Sequence, residues 1–370
     1  MDFIDLKTQQ LKIKKKVDER IKAVLSHGKY IMGPEVIELE EKLADYVGVK
    51  YCISCSSGTD ALLIPLMAKS IGPGDAVITT PFTYIATAEV VSLLGAEPIF
   101  VDIYESTYNI NPNGIEKAIQ EAERKGLVPK AIIPVDLFGL PARYRLIKDL
   151  AKKHGLVIIE DAAQGFGGQI RGDKAGSFGD VASTSFFPAK PLGCYGDGGA
   201  IFTNNEELAL KMKSIRVHGS GLDKYENVRI GINGRLDTIQ AAILLEKLHI
   251  FDEEFALRNK IAEYYSKNII SGVKKPFIPK DYLSSWAQYS LLSNSEHKRD
   301  EIMSRLSEKN IPSMIYYKCP LHLQAAFKKL GYKKGDFPIS EKVASHIFSI
   351  PMHPYLDTDK QNRVIEVLNS

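Results

Sequence analysis

The chain has 370 residues, 44% of them hydrophobic and 25% charged, the proportions of an ordinary soluble protein long enough to bury a large core without crosslinks. Its 48 basic and 45 acidic residues leave a net charge of +3, too balanced for electrostatics to point to a nucleic-acid or membrane partner. No apolar run reaches transmembrane length, and Met1-Asp-Phe-Ile-Asp5 lacks the charged and apolar regions of a signal peptide, so the cytoplasm is the expected compartment.

Residues 12–47 read as two amphipathic helices broken at His27-Gly-Lys-Tyr-Ile-Met-Gly-Pro34, with Pro34 placed to start the second and Glu35 and Glu38 near its positive end. The basic run Lys12 to Lys16 sits among Leu11, Val17, Ile21 and Val24 at helical spacing, which predicts a solvated helix face. Seven short apolar or β-branched runs follow, at Tyr51 to Ser54, Ala76 to Thr80, Pro98 to Ile103, Ala131 to Leu137, Leu156 to Glu160, Val181 to Phe187 and Ala200 to Thr203. Helical segments such as Thr59 to Ala68, Ile115 to Glu123 and Tyr144 to Lys153 separate most of them. This alternation predicts an α/β fold with a mostly parallel sheet and helices on both faces.

Cys52 and Cys55 form a C-x-x-C at the first strand, but no second C-x-x-C or H-x-x-x-H completes a zinc site. These two are therefore expected to be reduced and partly buried; Cys194 and Cys319 complete the four cysteines. A long helix is predicted over about Asp237 to Ile261. A smaller α+β unit follows: a strand at Ala287 to Leu292, a helix near Lys298 to Lys309, a strand at Ile315 to Tyr317 and a closing helix. Two domains result, residues 1–250 with an N-terminal arm and residues 251–370, joined in or near the long helix.

The chemistry concentrates after Val181 to Phe187, where Pro188 stops the strand and Lys190 stands on the first turn beyond it. Glycines at 193, 196, 198 and 199 let backbone pass close to a ligand and adopt positive φ. A lysine framed in this way is a candidate imine-forming amine for a carbonyl such as that of pyridoxal phosphate, once desolvation or a nearby cation lowers its pKa. A surface lysine on a glycine loop is the plainer alternative.

Ligands of open parallel sheets bind beyond the carboxyl ends of the strands. Ser56-Ser57-Gly58-Thr59-Asp60 after the first strand suits a phosphate at a helix N-terminus, or a simple helix cap. Pro81-Phe82-Thr-Tyr84 after the second offers rings for stacking on a planar cofactor, or for core packing. Glu160-Asp161 ends an apolar run, and a carboxylate there needs a cation or donors. If pyridoxal phosphate is bound, one of these acids would keep its ring nitrogen protonated, and Asp161, spaced by three from Gln164, is the choice. No G-x-G-x-x-G, G-x-x-x-x-G-K-[ST], H-E-x-x-H or G-x-S-x-G occurs, so dinucleotide, P-loop, catalytic-metal and Ser-His-Asp readings have no anchor.

Several runs together, in order and over almost the whole chain, resemble the nucleotide-sugar aminotransferases of the DegT/DnrJ/EryC1/StrS family. They are Ser57-Gly-Thr-Asp-Ala61, Glu160-Asp-Ala-Ala-Gln164, Thr184 through Gly199, Asn233-Gly-Arg-Leu-Asp237, and Tyr316-Tyr317 through Pro320-Leu-His-Leu-Gln324. The resemblance implies a fold type I, pyridoxal phosphate-dependent transferase, a homodimer with active sites shared between subunits, and the cofactor bound covalently to Lys190. It further implies phosphate binding by Gly58, Thr59 and Ser185, Asp161 on the ring nitrogen, Gln164 beside the ring, and Asn233 of the partner subunit at the phosphate. Tyr84 is the stacking ring it implies, with Phe82 the alternative.

For the sugar nucleotide it implies Tyr30, Arg235, Tyr316, Tyr317 and His322; Tyr316 stands where some relatives have histidine. Relatives that dehydrate sugars carry histidine in place of Lys190, so the lysine implies transamination. Tyr30 through Val36 and Ser349 through Pro354 are most similar to members that use glutamate to aminate UDP-2-acetamido-2-deoxy-3-oxo-glucuronate in bacterial surface-polysaccharide synthesis. Another UDP- or dTDP-linked 3-oxo or 4-oxo sugar is the alternative substrate, and a non-catalytic regulatory protein is the remote alternative.

Overall fold

Two helices open the chain in this computed structural model, which describes residues 1–223 and 225–370. α1 (Leu6–His27) starts where Asp5 accepts the Thr8 N–H at 2.8 Å, and stops at Gly28, whose φ of 70° is the left-handed conformation open to a residue without Cβ. α2 (Pro34–Val47) begins on Pro34, whose missing N–H costs nothing in a first turn.

The strands of the first two thirds are β1 (Tyr51–Cys55), β2 (Asp75–Thr79), β3 (Glu97–Phe100), β4 (Val128–Ile132), β5 (Val157–Asp161), the two-residue β6 (Gln169–Ile170) and β7 (Asp173–Lys174), β8 (Val181–Ser185) and β9 (Gly199–Thr203). Between and after them lie α3 (Gly58–Ala68), α4 (Ala86–Leu93), α5 (Ile115–Arg124), α6 (Tyr144–His154) and α7 (Glu206–Arg216). Among the described residues the central sheet has seven strands in the order β1-β9-β8-β5-β4-β2-β3. It is parallel from β8 to β3, and β9 runs antiparallel to both β8 and β1. The fold is thus the mostly parallel α/β arrangement expected of fold type I. β8 and β9 are buried at every position, which is why they read as unbroken runs of small and apolar residues.

Several boundaries differ from expectation for local reasons. The strand predicted over Val181 to Phe187 ends at Ser185, because the Phe186 N–H turns to donate to Gly198 O at 2.7 Å. The one predicted over Ala131 to Leu137 lies earlier, in β4, and Leu137 belongs to a turn of 3-10 helix. Tyr316 and Tyr317 are in a turn rather than a strand, since only Met314 bridges to Ser349 before the chain bends away.

α8 (Thr238–Asn268) extends past its predicted end. Its first half packs Ala241, Leu244, Leu245 and Phe251 against Val36, Leu39, Leu43, Phe166 and Phe202. Its second half packs Ile261, Ala262 and Tyr265 into another core with Tyr289, Leu291, Phe348 and Ile350. The expected division at residue 250 falls inside this helix. Beyond it come β10 (Tyr282–Leu283), β11 (Tyr289–Leu292), α9 (Glu296–Glu308), α10 (Pro338–His346), β12 (Ile347–Ile350) and α11 (Thr358–Asn369). β10 pairs with β6, and β11 with β12, both antiparallel.

A buried ion pair ties α2, β1 and α7 together below the β1 carboxyl end. Arg216, 3% exposed, donates to Ser54 O at 2.8 Å and to Glu40, whose Oε1 also takes the Ser54 N–H at 2.9 Å and hydroxyl at 2.8 Å. Removing one partner leaves the other charge buried and unpaired. Arg216→Met is expected to cost about 3–5 kcal/mol in denaturant unfolding, and Arg216→Met with Glu40→Gln to recover part of that loss.

Candidate active site

The carboxyl ends of β5 and β8 lie side by side, with Asp161 in register with Ser183 and the Ala162 N–H on Ser183 O at 2.9 Å. Alternation along β5 sends Glu160 and Asp161 to opposite faces. Asp161 is 5% exposed; its Oδ2 accepts the Thr87 hydroxyl at 2.8 Å and its Oδ1 the Ala163 N–H at 3.2 Å. Burial raises its carboxyl above the usual range, opposed by those two donors and by the charge of Lys190. Lys190 answers from the turn after β8, half-buried, its N–H on Phe187 O at 2.8 Å. Desolvation pulls its ammonium below the ordinary lysine value and Asp161 pulls the other way. Partial burial beside Asp161 weighs against the plainer reading of Lys190 as a solvated surface lysine.

The loop carrying Lys190 is closed by Cys194, whose buried thiol lies 3.1 Å from both Phe186 O and Gly196 O and shares its one S–H between them. Glycines 193, 196, 198 and 199 are absent from the positive-φ glycines, which corrects the sequence expectation. Their need is closeness: a Cβ on Gly199 would lie 2.4 Å from Ser57 O. Gly58 is under the same constraint, since its Cβ would fall 2.5 Å from that of Ser185. Ser57 caps α3 through its side chain, which accepts the Asp60 N–H at 3.0 Å. The amides of Gly58 and Thr59, in the first turn, have no intrahelical acceptor. With the Ser185 hydroxyl they form a donor set on a helix N-terminus, which fits a phosphate monoester.

Gln164, 5% exposed, accepts the Phe138 N–H at 2.7 Å and donates to the Tyr317 hydroxyl at 2.9 Å. Tyr84 is 56% exposed with its ring centroid 6.4 Å from that of Tyr317. The alternative ring, Phe82, is fully buried among Tyr108, Phe138 and Tyr317 and presents no face to a cofactor.

The remaining residues lie in separate groups. Asn233 is exposed, and the adjoining Gly234 O accepts the Ser56 N–H at 3.0 Å. Arg235 is half-buried with an Nε that has no partner, and Tyr30, exposed, accepts the Thr238 N–H on its carbonyl at 3.0 Å. Tyr316 packs its ring 6.2 Å from that of Phe3. His322 is not presented to the cleft: it is 1% exposed, with Nε2 3.0 Å from Glu341 Oε1 and its ring against Phe337. Thr87 in the first turn of α4 and Thr83 in the bend before it, their hydroxyls 3.0 Å apart, are the polar residues that sequence reasoning missed.

Donor cradle, buried acid and half-buried amine at the carboxyl edge of the sheet fit a lysine-dependent cofactor enzyme. The chain belongs to the DegT/DnrJ/EryC1/StrS aminotransferase family, whose model matches residues 11–369. It is an aminotransferase, and its cofactor is pyridoxal phosphate. The chain is 50% identical over 359 residues to the UDP-2-acetamido-2-deoxy-3-oxo-D-glucuronate aminotransferase of Pseudomonas aeruginosa, covering 97% of this chain and 96% of that one. The crystal structure of a DegT DnrJ EryC1 StrS aminotransferase from Brucella abortus superposes with a TM-score of 0.96 at 51% identity, over 100% of this chain and 98% of that one. The pyridoxal phosphate form of a putative sugar aminotransferase from Streptococcus pneumoniae superposes at 0.88 with 26% identity, over 96% and 95%.

Thr87→Val removes a hydrogen bond to a charged acceptor, worth about 1.5–3 kcal/mol, and so is expected to raise the Asp161 carboxyl by a further 1–2 pH units or so. Titrating apoprotein with pyridoxal phosphate across acid pH should show affinity lost at a higher pH in the variant than in the wild type.

Proposed function

We propose that this chain transfers the amino group of glutamate to UDP-2-acetamido-2-deoxy-3-oxo-glucuronate, as a cytoplasmic homodimer serving surface-polysaccharide synthesis. The observation that carries the chemistry is the opposition of Lys190 and Asp161 in one buried cleft beside the α3 donor set. The relative from Pseudomonas aeruginosa supports the sugar.

Pyridoxal phosphate supplies an aldehyde that accepts an amino group and a ring that spreads carbanion charge. Gly58, Thr59 and Ser185 bind its phosphate, Tyr84 covers the ring, and the Asp161 carboxylate holds the proton on the ring nitrogen. Thr87 aims that carboxylate. Lys190 Nζ, whose charged form burial disfavours, takes the α-proton of glutamate and later returns a proton to the sugar carbon. Glutamate leaves as 2-oxoglutarate, and the oxo-sugar leaves as the amino sugar. Gln164 fixes Tyr317 at the edge of the cleft.

Arg235 is the residue for the uronate carboxylate, because a planar guanidinium with an unpartnered buried Nε suits a bidentate acceptor. The dimer is supported by exposed Leu222 and Ile230 and by exposed Asn233 close after them. In the dimer Asn233 of the partner subunit reaches the phosphate.

Purified protein should absorb visible light from lysine-bound cofactor, lose that band with glutamate and regain it with the oxo-sugar nucleotide. Lys190→Ala is expected to abolish the band and to lower turnover roughly 10²–10⁴-fold. A wild-type band that glutamate leaves untouched refutes the donor. Arg235→Ala should weaken use of the uronate by about 10–100-fold while sparing a neutral 3-oxo or 4-oxo sugar on UDP or dTDP, as competition assays would show. Equal use of both sugars by the wild type favours the alternative substrate.

A further inference from the structure

Behind Asp161, on the opposite face of the sheet, two carboxyl groups meet where no water reaches. Asp136 and Glu160 are both 0% exposed and in hydrogen-bonding contact. No lysine, arginine or histidine among the described residues pairs with either. Two facing carboxylates without a cation cannot both be ionised in such surroundings, so a proton has to lie between them.

The donors around the pair decide which oxygen carries it. Glu160 accepts N–H groups on both oxygens: Gly176 on Oε1 at 2.5 Å, and Phe178 and Gly179 on Oε2 at 2.7 and 3.1 Å. Three converging amides favour the charged form. Asp136 Oδ1 accepts the Ala142 N–H at 2.9 Å and the Tyr144 hydroxyl at 2.8 Å, whereas its buried Oδ2 has no donor. The proton belongs on that oxygen.

The pair also touches the backbone of the cofactor acid. The Asp136 N–H donates to Asp161 O at 3.0 Å, and the Asp161 N–H to Pro134 O at 2.9 Å. We propose that Asp136 and Glu160 hold one proton, carried on Asp136 Oδ2 and donated to Glu160, and that this pair is the positioning element that sets Asp161 in the cleft. The inference is independent of which sugar is used.

Burial, then the Glu160 charge, pushes the Asp136 carboxyl well above the usual range. Tyr144 from α6, Asp161 from β5 and Tyr282 from β10 are the other titratable groups in electrostatic contact with the pair, with Arg143 and Arg171 beside Tyr282. The folded chain keeps a proton that the unfolded chain releases near the ordinary carboxylate value. Stability from the pair is therefore complete below that value and declines as pH rises through the pair's own titration.

Infrared spectra of the holoprotein at neutral pH test the assignment. The carbonyl stretch of a buried carboxylic acid is expected in the wild type and in Asp161→Asn, and absent from Asp136→Asn. The asparagine amide donates to Glu160 in place of the acid. Asp136→Asn should therefore keep its affinity for pyridoxal phosphate and flatten the fall of Tm with rising pH, while Asp136→Ala loses affinity by about tenfold or more. A wild-type spectrum without the acid band overturns the proposal, as does a band that survives in Asp136→Asn or vanishes in Asp161→Asn. Equal loss of affinity in the asparagine and alanine variants overturns the positioning role. Should Asp136→Asn not fold, the wild-type band and its disappearance on raising the pH decide the question.

Discussion

Burial acts in opposite senses on the two charged groups of the cleft. It raises the carboxyl of Asp161 and lowers the ammonium of Lys190, and each group's charge partly restores the other. Desolvation favours the neutral form of both groups, and their mutual attraction favours the charged form of both, so the balance at each depends on the other. The adjacency of β5 and β8 sets the two close together, because parallel register brings both strand ends to the same edge of the sheet. The single hydroxyl of Thr87, delivered from α4, adds the neutral donor that keeps the carboxylate from being overwhelmed by desolvation.

Around that opposition the backbone is packed as closely as it can be. Gly58 and Gly199 mark where α3, β8 and the chain entering β9 would collide if either carried a Cβ. Cys194, which a sequence search for redox or metal chemistry would single out, closes the lysine loop through one thiol shared between two carbonyls. The α3 donor set and the lysine loop are thus one construction, and distortion at either glycine would be felt by both.

Much of this was legible in the chain because fully buried strands admit few residue types. All seven central strands were anticipated, and Asp161 was singled out by its place at the end of β5 and its spacing of three from Gln164. What was hidden depends on contacts between distant segments. The reversed direction of β9 leaves no mark in its composition, and Thr87 becomes notable only when α4 swings it onto Asp161. Family likeness placed His322 with the sugar contacts, yet burial against Phe337 and a bond to Glu341 hold it in the packing between α10 and the neighbouring turn. Asp136 carried no motif at all, and its partner Glu160 was passed over because only one of two adjacent strand-end acids can face the cleft.

α8 has 31 residues, and at 1.5 Å per residue it is about 45 Å of uninterrupted helix threading two hydrophobic cores. A rod anchored at both ends is a poor hinge. The bend at Tyr30 and the turn at Tyr316 lie outside this strut. The two cores are joined through one continuous backbone rod.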